Sequence, residues 1–288
     1  MSNLRAIGLM LFSMATFAIG DALIKVASAD LAVGQMVLII ASMGLVFFVA
    51  LALRAGQPLY APGFWAPPVI LRNLVEACTA ICMVSAISAT TLSLTISIVQ
   101  AVPLLVTLGA ALFLGEHVGP RRWVAVAVGL LGVMIMLRPS SEGIALGALW
   151  AVGAAIGLAV RDIASRLAPP DVTNLQLAIW GTASLIPSSA LFMAFTEAAP
   201  LAPGPLAITF VAAAATALGY YAITAAMRTG EVSAVAPFRY TRLLFALVLA
   251  MLFLGERPDA ATLIGAAVVI ASGLFVLLRE RALAQTAA

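Results

Sequence analysis

Leu112-Phe-Leu-Gly-Glu116 returns without change as Leu252-Phe-Leu-Gly-Glu256, at a shift of 140 residues. The likeness extends outward from this motif into the flanking sequence. Four polar positions of the first half recur in the second at a shift of 141: Asp21, Lys25, Asp30 and Gln35 correspond to Asp162, Arg166, Asp171 and Gln176. Chance is a poor explanation for so many matches at nearly one shift, so the chain is predicted to be an internal duplication of units 1–139 and 140–288.

The composition places both units in lipid. Hydrophobic residues make up 64% and charged residues only 9% of 288 positions, which leaves too little polar surface for a water-soluble globule of this size. A membrane-spanning helix needs about 20 apolar residues. The sequence offers ten such stretches, at 5–27, 33–53, 67–88, 92–114, 120–138, 143–165, 173–195, 205–227, 233–254 and 259–279.

Each unit contains five of these spans, an odd number, so the second unit must lie upside down relative to the first. A β-barrel would need alternating apolar and polar residues, whereas the run from Ala125 to Met136 is apolar on every face. The predicted fold is therefore all-α, a polytopic membrane protein of ten transmembrane helices in two inverted five-helix repeats. Inverted repeats are typical of secondary transporters, because equivalent halves can expose a central site to either side in turn.

Basic residues predict the orientation. Net charge is +3 and the pI is about 9.2. If both termini are cytoplasmic, the opposite face receives only Lys25, Arg138 and Arg257. The cytoplasmic face then carries most of the arginines, as the positive-inside rule requires: Arg5, Arg54, Arg72, Arg121, Arg122, Arg166, Arg228, Arg279 and Arg281. We expect a multi-pass protein of a bacterial inner membrane, in contact with the lipid bilayer and with no nucleic-acid partner.

The chain resembles the drug/metabolite transporter superfamily. The resemblance rests on the two Leu-Phe-Leu-Gly-Glu motifs, on Pro103 within the fourth span, and on Ala236-Pro-Phe-Arg-Tyr-Thr-Arg-Leu-Leu-Phe245. It is most similar to the ten-helix EamA-type exporters, among them the YddG-like amino-acid exporters. The resemblance implies ten helices, both termini inside and a central cavity lined by both halves, and it marks the superfamily rather than the substrate. We expect an exporter of small metabolites, with amino acids, aromatic or neutral, as its cargo.

Charges that occur in only one half are the better candidates for cargo contacts, since a charge inside the bilayer is costly. Glu76, Arg239, Tyr240 and Arg242 have no charged or aromatic counterparts in the other half. Counted at 1.5 Å per residue, Glu76, Arg239 and Arg242 lie at similar depths of about 10–15 Å. One hypothesis pairs Glu76 with Arg239 or Arg242 across the cavity, which leaves a cation and the Tyr240 hydroxyl for a substrate carboxylate. The alternative is that Arg72, one turn away, neutralises Glu76.

Charges shared by both halves favour structural roles. Asp21 with Lys25, and Asp162 with Arg166, have the i,i+4 spacing of ion pairs within one helix. Glu116 and Glu256 are interpreted as helix terminators. Span six is predicted to make a close helix contact through its small residues Gly143, Gly147, Gly153 and Gly157. Prolines predict breaks or kinks at Pro103, Pro187 and Pro237.

Neutral polar and aromatic side chains extend the candidate site. Ser97 and Gln100 lie in span four, and Tyr220 and Tyr221 in span eight. A serine in a membrane helix often bonds only the carbonyl four residues earlier, so Ser97 also has a local explanation. Flat cargo could stack on two indole rings: Trp150 and Trp180.

Catalysis finds no support in the sequence. His117 is the single histidine, and neither a metalloprotease motif nor a phosphate-binding loop occurs. No catalytic residue, metal site or cofactor is predicted, and we expect a monomer whose partner is a small-molecule substrate. The predicted function is secondary transport by alternating access that exports small metabolites. The alternatives are a channel-like pore and an exporter of a different metabolite or drug.

Overall fold

A computed structural model describes residues 3–115, 119–138, 144–229 and 235–287; Glu116, His117 and Gly143 lie outside this set. The described residues form eleven α-helices and two short 3-10 helices, Pro62–Trp65 and Ala236–Tyr240. The α-helices are α1 (Asn3–Ala27), α2 (Val33–Arg54), α3 (Pro67–Ala89), α4 (Leu92–Val99), α5 (Val102–Phe113), α6 (Pro120–Leu137), α7 (Leu146–Arg166), α8 (Asn174–Met193), α9 (Pro203–Thr229), α10 (Thr241–Phe253) and α11 (Ala260–Ala287).

These helices supply ten candidate membrane spans in the described part of the chain. Eight spans are single helices, α4 and α5 together make the fourth, and the 3-10 helix Ala236–Tyr240 continues into α10 to make the ninth. No strand occurs among the described residues. The predicted ten-helix, all-α membrane fold is confirmed, and its reason is that each helix satisfies its own backbone hydrogen bonds in lipid.

Span four is interrupted after Val99, and span nine begins as a 3-10 helix that gives way to α10 after Tyr240. Pro103 stands in the first turn of α5, and Pro237 stands in the first turn of the 3-10 helix, as the missing N–H of proline favours. The two breaks meet, because the Gln100 amide Nε2 donates to the Tyr240 carbonyl over 3.2 Å. Gln100 and Tyr240 are equivalent positions at the repeat shift of 140, so this bond joins corresponding points of the two halves.

The contacts between the two halves come in equivalent sets that are related by exchanging one half for the other. The first span of each half lies on the third span of the other, α1 on α9 and α7 on α3. The two second spans, α2 and α8, form another contact, and so do the two fifth spans, α6 and α11. Exchanging the halves therefore reproduces the same set of contacts, as expected for inverted repeats.

Small residues bring α3 and α7 together. A Cβ added at Gly153 would lie 3.3 Å from Cys82 Sγ, and one added at Gly157 would collide with the Thr79 hydroxyl. A larger residue at Gly157 would push the helices apart, so the predicted close contact of span six is confirmed. Side chains farther along these helices, toward the end of α7, consequently face one another at short range.

Candidate functional site

Four charged side chains of α3 and α7 form one network inside the membrane-spanning region. Glu76 lies between two guanidinium groups, with Oε2 3.4 Å from Arg72 Nη2 and Oε1 3.4 Å from Arg161 Nη1. Arg161 also donates from Nη2 and Nε to Asp162 Oδ1, over 2.8 and 3.1 Å. The network alternates in sign along its length, and each carboxylate in it has an arginine partner.

Arg72 is anchored at one end of this network. Its side chain is buried, Nη1 donates to the Leu177 carbonyl of α8, and the same nitrogen lies 3.1 Å from Asn73 Oδ1. A Cβ at Gly181 would collide with this guanidinium, so the close passage of Arg72 requires glycine there. Burial and anchoring to a backbone carbonyl indicate that Arg72 holds the network in position.

A second ion pair joins the two halves farther along the chain. Arg242 of α10 donates to Asp21 Oδ2 of α1, from Nη2 over 2.7 Å and from Nε over 3.1 Å. Its guanidinium carbon also lies 5.2 Å from the centre of the Phe17 ring, a cation–π contact. Asp21 is buried, so its charge requires this partner.

The predicted pairing of Glu76 with Arg239 or Arg242 is wrong. Glu76 forms an ion pair with Arg72, as the alternative held, and another with Arg161, which the sequence did not suggest. The predicted pair of Asp21 with Lys25 is also wrong, because Asp21 bonds Arg242. Lys25 turns instead to the end of α3, where Nζ lies 2.7 Å from the Thr90 carbonyl and 3.3 Å from that of Ser88, two of the unpaired carbonyls of a helix end.

Arg239 is an arginine of the spans that belongs to none of these ion pairs. It lies in the 3-10 helix that opens span nine and is half-buried. Within the described residues, no hydrogen bond joins its side chain to another group and no carboxylate lies within ion-pair distance. Its charge nevertheless interacts with that of Asp162 and with the neighbouring guanidinium groups of Arg161 and Arg242.

Tyr220 is the aromatic side chain beside the network. Its hydroxyl interacts electrostatically with Arg72, Arg161, Glu76 and Asp162, and its ring meets Phe48 edge-on at 4.9 Å. Tyr220 is therefore the candidate that the fold brings to the charged residues.

The other aromatic candidates lie elsewhere. Trp180 is buried, donates from Nε1 to the Leu59 carbonyl over 2.9 Å, and packs edge-on against Phe64. Tyr221 is 50% exposed on the outside of the bundle. The Tyr240 hydroxyl is buried against the backbone of Gly273 and has no hydrogen-bond partner among the residues that the structure describes. Trp150 is half-buried and packs on the main apolar core.

The two neutral polar candidates of span four already have hydrogen-bond partners. Ser97 is fully buried and donates to the Ser93 carbonyl over 2.7 Å, the contact four residues back that the sequence analysis also considered. Gln100 is used at the meeting of the two broken spans. Neither side chain points to the charged network, so they contribute to scaffold geometry in this structure.

Glu256 connects the halves at the opposite end of the bundle. Its carboxylate accepts from the backbone N–H groups of Leu92 and Ser93, over 2.6 and 3.0 Å, and from the Ser93 hydroxyl over 2.6 Å. A carboxylate at a helix N-terminus compensates unpaired N–H groups and the helix dipole. Glu256 thus caps α4 of the other half, in addition to following α10.

Arg161 could have been found from the repeat itself. The position that corresponds to it in the first half, at the shift of 141, is Gly20. Arg161 therefore satisfies the same test of asymmetry that selected Glu76 and Arg239. Its neighbour Asp162 does have a counterpart, which directed attention to Arg166 instead.

Comparisons with known proteins agree with this architecture. The model of the EamA-like transporter family matches residues 4–138 and again 145–278. A solved crystal structure covers 98% of this chain and 99% of its own with a TM-score of 0.63 at 18% identity, a likeness that shows the fold alone.

Three curated relatives are named as transporters. The riboflavin transporter of Rhizobium johnstonii is 34% identical over 190 residues, which are 64% of this chain and 61% of that protein. The S-adenosylmethionine uptake transporter of Rickettsia felis is 28% identical over 63% of this chain and 61% of its own length. The pseudopaline exporter CntI of Pseudomonas aeruginosa is 27% identical over 88% of this chain and 89% of its own. The first two matches thus span about three fifths of those relatives.

Proposed function

Because the chain belongs to the EamA-like transporter family, we propose that it is a secondary transporter that moves small polar metabolites across the membrane by alternating access. Amino acids, aromatic or neutral, are the proposed cargo and export is the proposed direction. The family and the ten apolar spans make it a multi-pass membrane protein.

One observation carries this proposal: seven charged side chains drawn from both halves lie within the spans, and six of them form ion pairs with one another. The seven are Asp21, Arg72, Glu76, Arg161, Asp162, Arg239 and Arg242. Each charge at the bilayer centre costs about 2.5–3.5 kcal/mol on insertion scales, so such a set is expensive to keep for packing alone. A polar path for a solute gives these charges a function.

The symmetry of the packing supports alternation. Contacts between the halves come in exchangeable sets, and the breaks in spans four and nine meet at equivalent positions. If each half can adopt the conformation of the other, the inverse arrangement has a similar energy and opens to the opposite side. Broken helices supply the points at which such spans bend.

The relatives favour transport without selecting a cargo. Their names report a riboflavin transporter, an uptake transporter for S-adenosylmethionine and an exporter of pseudopaline. Cargo and direction differ within the family. Amino-acid export by this chain therefore depends on the resemblance noted in its sequence and on the polar site, and it requires a direct test.

The test is transport by the purified protein in liposomes. Vesicles are loaded with a panel of amino acids, and the exchange of labelled solute is measured with and without a pH gradient. Alternating access predicts saturable flux that is stimulated by solute on the far side. Flux linear in concentration would favour the channel-like alternative, and no flux of any amino acid would refute the proposed cargo.

Energy coupling is proposed to be uniport. Asp21, Glu76 and Asp162 each have an arginine partner, so a carboxylate that picked up a proton would have to give up its ion pair. Uniport predicts equal exchange rates with and without the pH gradient. Antiport with protons predicts faster export when the far side is acidic.

The proposed location is a bacterial inner membrane with both termini in the cytoplasm and the protein acting as a monomer. This orientation places residues 116 and 256 on opposite faces. Single cysteines introduced at these positions, in a variant lacking Cys78 and Cys82, are expected to react with an impermeant reagent from opposite sides. Labelling of both from one side would refute the inverted arrangement.

A further inference from the structure

The two fifth spans, α6 and α11, form a pair at the edge of the bundle. Besides each other they pack on α4 and α5, and α11 also packs on the 3-10 helix that opens span nine. In a protein that spans a membrane, exposed apolar faces of helices contact the acyl chains of lipid. Both helices carry such side chains: Val124, Val128, Leu131, Ile264, Phe275 and Leu278.

A groove of about 400 Å³ lies between these two helices, at the end of the pair where α6 begins. A volume of this size is within the range of small-molecule sites. A Cβ added at Gly129 would lie 3.2 Å from the Cβ of Ser272, so the helices are close together behind the groove. Apolar side chains of both helices line it: Val124, Ala125, Val128, Ala271 and Phe275.

Arg121 is the charged side chain of this groove, and it is exposed. No carboxylate lines the groove, and no described residue forms an ion pair with Arg121. The other end of the same helix pair differs, because Arg138 after α6 forms an ion pair with Asp259 before α11. The pair therefore neutralises its arginine at one end and presents a guanidinium beside an apolar groove at the other.

The mouth of the groove lies at the level of the lipid headgroups. Arg121 is in the first turn of α6, where Trp123 is 41% exposed. Exposed tryptophan and arginine side chains at the end of a span are typical of the interface between membrane and water. Val128 lies farther along α6, about 10 Å deeper at 1.5 Å per residue. The groove thus runs from headgroup level into the apolar part of the bilayer.

We propose that this groove binds one anionic phospholipid, with its phosphate against Arg121 and one acyl chain along the apolar side chains of α6 and α11. A guanidinium binds a phosphate through two parallel hydrogen bonds. Arg122 is adjacent in sequence, and Arg279 follows Phe275 by one helical turn, so this end of the pair carries two more positive charges. An anionic headgroup is favoured there over a zwitterionic one, whose own cation would meet these arginines.

The headgroup supplies the selectivity of this site. An acyl chain that enters the groove leaves other lipid chains, and both surroundings are apolar. Selection among lipids therefore depends on the bond between the phosphate and Arg121, whereas the groove holds a chain of any lipid. The site is separate from the charged network of α3 and α7, and its occupancy does not depend on which solute the protein carries.

The experiment measures lipid binding by the full-length protein in detergent with native mass spectrometry. The probes are a phosphatidylglycerol and a phosphatidylcholine with the same two acyl chains, and glycerol 3-phosphate as a phosphate without chains. Arg121→Gln and Arg121→Lys test the phosphate contact, with Arg54→Gln as the control for an exposed arginine at the end of α2. Ala271→Phe fills the groove, with Ala267→Phe as the control for an exposed alanine one turn earlier that does not line it.

We expect the wild type to bind phosphatidylglycerol about fivefold more tightly than phosphatidylcholine, the ratio that one basic residue gives at an anionic lipid surface. Arg121→Gln should lose this preference and still bind phosphatidylcholine as the wild type does. Arg121→Lys should keep most of it, since lysine retains the charge. Ala271→Phe should weaken the binding of both lipids, and the two control variants should bind as the wild type does.

Four results would overturn the lipid site. A preference for phosphatidylglycerol that survives in Arg121→Gln would remove the arginine from it, and equal lipid binding by Ala271→Phe and Ala267→Phe would remove the groove. Glycerol 3-phosphate that binds as tightly as phosphatidylglycerol would make this a site for a free anion. An equal loss of preference in Arg54→Gln would make the preference a property of the whole basic face. None of these measurements involves transport, so the lipid site and the proposed function can fail separately.

Discussion

Replacing Glu256 by alanine tests how the two halves are held together. The carboxylate is the only described acceptor for the N–H groups of Leu92 and Ser93 and also accepts from the Ser93 hydroxyl. Alanine leaves these donors at the start of α4 without a protein partner. The damage should therefore appear in the first half, although the substitution is in the second.

The expected loss follows from these three bonds. Removing an ordinary helix cap costs about 0.5–2 kcal/mol, and bonds to a charged acceptor are stronger than neutral ones. Glu256 is half-exposed, so water recovers part of the loss. We expect a destabilisation of about 2 kcal/mol, or a melting temperature lower by roughly 4–8 °C for a chain of this size. Glu256→Gln keeps one acceptor oxygen without the charge and should fall between alanine and wild type.

The assay is thermal unfolding of detergent-solubilised protein, followed by size-exclusion chromatography with fluorescence detection. Glu197→Ala is the matched control, because Glu197 is an exposed glutamate in the loop between α8 and α9. The reasoning is refuted if Glu256→Ala melts within about 1 °C of that control, or if glutamine destabilises as much as alanine.

Three further predictions concern the charged network, Tyr240 and the start of α11. Arg161→Gln removes the cation that Glu76 and Asp162 share and should destabilise the protein by about 3 kcal/mol. Adding Glu76→Gln should recover part of this loss. Thermal unfolding that shows no recovery in the double variant would contradict the pairing. Tyr240→Phe removes a buried hydroxyl that bonds no described residue, so we expect an equal or higher melting temperature and unchanged flux. A fall in either measurement would contradict its placement. The Thr262 backbone N–H, 2.8 Å from Asp259 Oδ1, and then Arg138 hold the pKa of Asp259 below its ordinary value of 3.8. The stability that Asp259 contributes is thus present above pH 3.8 and is lost as the pH falls through the lower pKa of the folded state. Asp259→Asn should melt below wild type at pH 7, and this difference in melting temperature should vanish in strong acid. A difference that grows on acidification would contradict the direction of the pKa shift.

The partners of the charged side chains could not be predicted from residue spacing along the chain. Counting residues along a helix gives an expected depth, and this count placed Glu76 level with Arg239 and Arg242. Depth says nothing about rotation about the helix axis or about which helix is the neighbour. The glycine surface of α7 places α3 beside it, so Arg161 reaches Glu76 first and Arg242 is left to Asp21.

The role of Glu256 was likewise only partly predictable from the sequence. Its motif predicted the end of a helix in its own half, which α10 confirms by ending at Phe253. The partner of its carboxylate lies 164 residues earlier, at Leu92. A contact over that separation depends on how two halves dock, and no local pattern encodes it.

By itself the sequence determined the ten spans, the duplication and the helix changes at Pro103 and Pro237, because lipid requires every span to satisfy its own backbone and because proline acts on its own helix. The break predicted at Pro187 is not found, since α8 continues through it. Tertiary structure alone decided which charges form ion pairs, which arginine lies outside these pairs and which helix Glu256 caps. These outcomes depend on helix rotation and on the docking of the halves. Both are set by packing between residues far apart in the chain, where glycine and other small side chains let helices approach.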